Sequence, residues 1–200
     1  MYRYTYLFVF FFLAACGSPG PKGYDIHEGD IVFQSLPHCP LVDTIEGMTE
    51  SPYSHCGIVE RKNGDWYVIE AIGPVRETDI GSWIEHGRLG YFRAYRLRSD
   101  LATQAPKIIA SALSYLGRPY DIHYEFDDSK IYCSELVYKA IDRATGAKVG
   151  KIQRIGDLNW RPYGAFIISI EDPVPVDREL ITPRALSEAP ELTEVYETPP

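Results

Sequence analysis

The segment Arg61-Lys62-Asn63-Gly64-Asp65, set between the β-rich runs 54–60 and 66–72, constrains this chain more than any other part of it. Asn-Gly is the strongest short hairpin signal, because both central residues of a type I′ turn need positive φ. With Asn63 and Gly64 as the central turn residues, Glu70 falls opposite Gly57. Side chains alternate along a strand, so Gly57 shares a face with His55, and Glu70 becomes a diagonal neighbour of His55 on that face. The same parity turns Cys56 to the other side.

A thiol stands far downstream, in Ile131-Tyr132-Cys133-Ser134-Glu135-Leu136-Val137. Leu136, Val137, Ala140, Ile141 and Ala144 recur at helical spacing after it, with Gly146 as the stop. Cys133 is therefore expected at or just before the first helical turn, where free backbone N–H groups and the macrodipole favour a thiolate. The same N–H groups suit an oxyanion site. A thiol, a base and an orienting carboxylate are the parts of a cysteine nucleophile site. Their order here is His, Glu, Cys, whereas papain has the Cys first; catalysis needs proximity in space and has no preference for chain order. Each residue alone also has a plainer reading. A free Cys is commonly a small buried apolar residue, a strand His commonly has a backbone partner, and Glu70 could end its strand in solvent. Taken together the three favour the site: Glu70 ends the apolar run Tyr67-Val68-Ile69, where a buried carboxylate needs a partner such as an imidazole.

The N-terminus reads as an export signal. Arg3 supplies the positive region, Tyr6 to Leu13 is an apolar run too short to span a bilayer, and Leu13-Ala14-Ala15-Cys16-Gly17-Ser18 resembles a bacterial lipobox. The expectation is cleavage before Cys16, which is then lipidated; an ordinary secretory cut near Ala15 is the alternative. Several acyl chains on Cys16 would give a stable anchor, and the absence of Asp after it favours the outer membrane of a bacterial envelope, facing the periplasm. Residues 16–28, rich in Gly and Pro, read as a lipidated flexible tether. Residues 29–185 read as one catalytic domain and 186–200 as an acidic, Pro-rich tail, disordered or loosely held.

The full chain of 200 residues carries net charge −8, and losing residues 1–15 removes only Arg3 among the charged groups. Such a surface argues against nucleic acid as a partner. Of four cysteines, Cys39, Cys56 and Cys133 remain once Cys16 is lipidated, and an odd number leaves at least one thiol unpaired. A Cys39–Cys56 disulfide would leave Cys133 alone, though sequence does not establish it.

Elsewhere, Ile31 to Gln34 reads as a short strand after the turn at Gly29-Asp30, and 35–52 as a loop with one helical turn beside a cleft. Tyr91 to Leu97 reads as a strand, and Gln104 to Leu116 as an amphipathic helix with Ile108, Ile109, Ala112, Leu113 and Leu116 on its apolar side. Phe166 to Ile170 reads as a last strand. The pairs His38-Cys39 and His55-Cys56 invite a zinc reading, but adjacent strand residues face opposite ways and no C-x-x-C is present. Asp121, Asp127 and Asp128 lack EF-hand spacing. No metal and no cofactor is expected.

These motifs together resemble the YiiX/YaeF-like permuted papain-fold amidases, a circularly permuted branch of the NlpC-type cysteine hydrolases. The matching segments are 29–34, Tyr53-Ser54-His55 with Gly57-Ile58, Tyr67 to Ala71, Leu116-Gly117-Arg118-Pro119-Tyr120-Asp121 and, most specific, Lys130 to Val137. The resemblance implies an α+β fold with a nucleophile helix packed on a small antiparallel sheet. It also implies Cys133 as nucleophile, His55 as general base and acid, Glu70 as the residue that orients His55, and Tyr120 as a hydroxyl near the oxyanion. The implied reaction is acyl transfer through a thioester without cofactor, by a lipid-anchored amidase or peptidase of the envelope acting on murein peptides or small amides. Two other readings stand beside it. Lecithin–retinol acyltransferase-like proteins share the permuted order, which suggests a lipid-directed acyltransferase or acyl hydrolase, and a binding lipoprotein with an idle site is the third.

The lipobox reading predicts that Cys16→Ser releases the chain from membranes; unchanged sedimentation with the membrane fraction would defeat it.

Overall fold

The computed structural model describes residues 20–199, so the signal and lipobox expectations, Cys16 included, lie outside the described residues. The elements run β1 (Ile31–Gln34), α1 (Pro40–Thr49), β2 (His55–Lys62), β3 (Asp65–Ala71), β4 (Val75–Asp79), α2 (Ile80–His86), β5 (Phe92–Leu97), α3 (Ser99–Ala102), α4 (Ala105–Leu113), α5 (Cys133–Thr145), β6 (Gln153–Arg154), α6 (Gly164–Ile170), β7 (Glu179–Leu180), α7 (Pro183–Ser187) and β8 (Leu192–Glu197). Six strands form one sheet in the order β4-β3-β2-β1-β5-β8, and every pair in it is antiparallel.

The hairpin forms as the sequence predicts. Asn63 and Gly64 both take positive φ, 55° and 97°, and Gly57 pairs with Glu70. Alternation then gives the sheet two dry faces. Ile31, Phe33, Cys56, Ile58 and Ile69 point to one side, where they share a core with Ile108 and Ala112 of α4 and with Leu136, Val137, Ala140 and Ile141 of α5. Val32, Val59, Val68, Phe92 and Ala94 point to the other, where Ile80 and Trp83 of α2 cover them. Asp79 caps α2 by accepting from the Gly81 and Ser82 N–H groups. Gly146 ends α5 in the left-handed region, as its position suggested.

Five expectations are corrected. Residues 40–49, read as loop, are a ten-residue helix. Pro40 sits at its start, where the missing N–H costs nothing. Phe166 to Ile170, read as a strand, belongs to α6. The helix at Gln104 closes earlier than expected, at Leu113, so Leu116 lies beyond it and is exposed. The C-terminal segment is held down rather than loose: β8 pairs with β5 through residues 192–197, and Leu192 is buried. The tether also joins the fold earlier than its composition implied. Tyr24 is buried against Phe92 and Tyr196, and its hydroxyl donates to Asp30 at 2.7 Å. Arg96 grips the same buried carboxylate with two N–H groups at 2.7 and 2.9 Å.

If β8 is part of the core, Leu192→Ala should cost about 2–5 kcal/mol, the range for a buried Leu truncation. A denaturant midpoint equal to that of the parent chain would return the C-terminal segment to the status of a loose tail.

Candidate active site

Cys133 is the first residue of α5, following Tyr132 in extended conformation. The Tyr132 N–H donates to the Glu135 carboxylate at 3.3 Å, which ties the entry to the helix and leaves the thiol at its positive end. His55 is the first residue of β2, and Glu70 lies on β3 at the diagonal position the hairpin register demands. His55 Nε2 and Glu70 Oε2 are 2.6 Å apart, and both side chains are almost wholly buried. Gly57 permits this closeness: a Cβ there would come within 2.4 Å of Val68 and 2.8 Å of the Ile69 carbonyl.

Glu70 has further donors that sequence reading did not find. The Thr78 hydroxyl donates to Oε1 at 2.6 Å and Arg76 Nε–H at 3.1 Å. Both come from β4, which pairs Arg76 directly with Glu70. Burial alone would raise this carboxyl, but the His55, Thr78 and Arg76 donors outweigh it and hold it down at about 2. Burial likewise pulls the imidazole down. The hydrogen bonds and charges of Cys133 and Glu70 win, raising His55 to about 9.

The Cys133 thiol is held well below its ordinary range, chiefly by hydrogen bonding from Cys56, against burial and with His55 adding to the effect. Its sulfur also lies 4.0 Å from the Ser54 carbonyl. These shifts favour a thiolate on Cys133 beside an imidazolium, with a buried carboxylate on the far side of the ring. Trp83, fully buried, stands over the imidazole with ring centroids 6.2 Å apart. Cys39, Cys56 and Cys133 are all free, so the Cys39–Cys56 bridge considered from sequence is not formed.

Tyr120 is drawn to the site by its bridge to Ile131. Its hydroxyl meets that of Tyr124 at 2.9 Å. Burial raises both phenols, and the Cys133 charge adds to the effect on each. Tyr124, which sequence reading passed over, lines the same cleft as Cys133. That cleft has a volume of about 750 Å³ including its open mouth. Its walls include Leu41, Ile45 and Met48 of α1 and Phe166, Ile167 and Ile170 of α6. The charged residues on it largely answer one another: Arg178 donates to both Glu171 oxygens and to the His123 carbonyl. The sequence placed 35–52 beside a cleft, but nothing in it pointed to the wall that α6 contributes or to the apolar lining.

A thiol at a helix N-terminus, facing a histidine on an antiparallel hairpin, defines a papain-like cysteine hydrolase in which the histidine precedes the nucleophile. Residues 25–196 match the family described as permuted papain-like amidase enzymes, YaeF/YiiX, and the chain belongs to that family. It is 34% identical over 178 residues to the protein YiiX of Escherichia coli (strain K12), with 84% of each chain covered. A crystal structure described as metalloprotein yiiX from Escherichia coli O157:H7 superposes with a TM-score of 0.82 at 32% identity, covering 88% of this chain and all of that one. The word metalloprotein belongs to that relative. Among the described residues here, no three His, Cys, Asp or Glu side chains gather as a group able to hold a metal ion.

The site predicts its own pH behaviour. Because the Cys133 thiol is lowered and His55 is raised, iodoacetamide should label Cys133 ahead of Cys39 and Cys56 at about pH 6, well below the range of an ordinary thiol. In His55→Ala the labelling profile of Cys133 should move up in pH, since the cation that favours the thiolate is gone. Faster labelling of Cys39 or Cys56, or an unmoved profile, would overturn the assignment.

Proposed function

We propose that this cysteine hydrolase of the amidase family works through Cys133, His55 and Glu70 on an acyl group whose hydrocarbon chain lies in the apolar cleft. His55 carries the thiol proton, and the Cys133 thiolate attacks the amide or ester carbonyl. His55 then protonates the leaving amine or alcohol, and water resolves the thioester with His55 as base. Glu70 fixes the ring through Nε2, leaving Nδ1 for the thiol, and offsets the charge of the imidazolium. The backbone N–H groups at the start of α5 are suited to the tetrahedral oxyanion, with the Tyr120–Tyr124 hydroxyl pair near the same place.

The observation that carries the substrate reading is the cleft lining, with Leu41, Ile45, Met48, Phe166, Ile167 and Ile170 beside Cys133. It favours an alkyl chain over a murein peptide, whose charged groups would find Arg178 and Glu171 already paired. A lipid anchor at Cys16, with the domain at the envelope membrane facing the periplasm, would bring such a substrate within reach.

The test is a series of acyl amides and esters of one leaving group and increasing chain length. Each methylene buried is worth about 0.8 kcal/mol, so kcat/KM should rise about fourfold per added methylene until the cleft is full. Cleavage of murein fragments with no dependence on acyl length would sink the hydrocarbon reading. On the best substrate, Cys133→Ala should be at least as severe as His55→Ala, whose general-base role is worth about 10²–10⁴ in rate. Both should exceed Glu70→Gln, which keeps an acceptor and loses the charge. A Glu70→Gln enzyme as inactive as Cys133→Ala, at unchanged melting temperature, would show that the charge itself is indispensable; full activity would remove Glu70 from the site.

A further inference from the structure

Cys56 is the residue at this site that the hydrolytic mechanism leaves unused. Strand parity sends it to the face opposite His55, which is the face that α5 packs against, and there it shares one buried cluster with Cys133. The Cys133 sulfur lies 4.0 Å from the carbonyl of Ser54, two residues before Cys56, where α5 packs on β2, and Cys56 is the neighbour that most lowers the Cys133 thiol. The two adjacent residues His55 and Cys56 therefore bracket that sulfur from two sides. Both thiols are free. Cys56 is fully buried and reached by nothing but its neighbours, while Cys133 lines the cleft and is open to a small reagent. A thiolate that can be reached, with a second free thiol in the same buried cluster behind it, is the arrangement of an oxidisable cysteine and its resolving partner.

We propose that Cys56 is the resolving thiol for Cys133, so that peroxide converts the site into a reversible Cys56–Cys133 disulfide. The Cys133 thiolate attacks the O–O bond of hydrogen peroxide or an organic hydroperoxide. It becomes a sulfenic acid, and the hydroxide or alkoxide released takes the His55 proton. The Cys56 thiol then displaces the sulfenic oxygen as water, forming the S–S bond, so that two thiols are oxidised and one peroxide is reduced. With Cys133 in the disulfide, hydrolysis stops. A dithiol reductant restores both thiols. Without Cys56 the sulfenic acid would remain exposed to more peroxide and pass to sulfinic and sulfonic acids, which the same reductant does not reverse. This inference rests on Cys133 being the reactive thiol, which the labelling experiment on reduced protein decides separately.

The experiment treats the reduced full-length chain with limiting hydrogen peroxide, blocks remaining thiols, and maps peptides without reduction. The expected result is a linked pair of peptides carrying Cys56 and Cys133, about 2 Da lighter than their sum, with Cys39 still alkylated. Iodoacetamide labelling of Cys133 should be lost with the same time course and return with dithiothreitol. Cys39→Ser should leave the linkage in place. In Cys56→Ala, peroxide should instead add oxygens to Cys133, and labelling should not return on reduction. Should Cys56→Ala fail to fold, the peptide map of the parent chain decides alone. A linkage of Cys133 to Cys39, or Cys133 carrying added oxygen while Cys56 remains alkylatable in unfolded samples, would overturn the proposal even if Cys133 labels as the reactive thiol in reduced protein.

Discussion

The buried contact between His55 and Glu70 is the interaction on which the site depends, because an ionised carboxylate without solvent is tolerable only when donors surround it. Three side chains supply them: His55 from β2 on one oxygen, Thr78 and Arg76 from β4 on the other. The carboxylate therefore pins three consecutive strands at the end of the sheet nearest Cys133. Gly57 belongs to the same arrangement, since any side chain there would push β3 away and lengthen the contact. The orientation of the imidazole is a property of the sheet, and substitution of Thr78 or Arg76 would loosen it through Glu70.

The second constraint is the meeting of the sheet with α5. His55 and Cys56 lie on opposite faces of β2, yet both reach Cys133, because α5 begins beside the first residues of that strand. Low dielectric there makes each partner's charge count for more than it would in water. His55 and Cys133 each favour the other's ionised form, and Glu70 keeps the cation from being alone. In the proposed mechanism the pair is thus prepared before any substrate arrives, and the reaction need not reorganise solvent around a newly formed charge.

Much of this was legible in the sequence because it rests on local rules. Asn63-Gly64 fixed a two-residue turn, the turn fixed the register, and the register placed Glu70 beside His55. The run after Cys133 carried a clean helical period and a glycine stop, which put the thiol on the first turn. What was not legible depends on contacts between distant segments. Thr78 and Arg76 are unremarkable polar residues on a short strand until β4 pairs with β3. Tyr24 sits in a Gly- and Pro-rich stretch whose composition says tether, and only Phe92, Tyr196 and Asp30 show that it docks. Cys56 read correctly for parity, but nothing in the sequence said that α5 would end against its face.

The misread helices have a shared physical cause. A helix against a packed core buries one complete stripe, and its period is plain. α1 and α6 instead turn Leu41, Ile45, Met48, Phe166, Ile167 and Ile170 toward a cavity, and all six are only half-buried. With open space in front of them, these positions need no unbroken stripe, and α6 has only seven residues in which to show a period. Phe166-Ile167-Ile168 then reads as a β-rich run, although Ile168 points out to solvent. Local pattern fails here because these apolar residues line a cleft that the chain itself does not fill, so they need not complete the stripe that packing against a core demands.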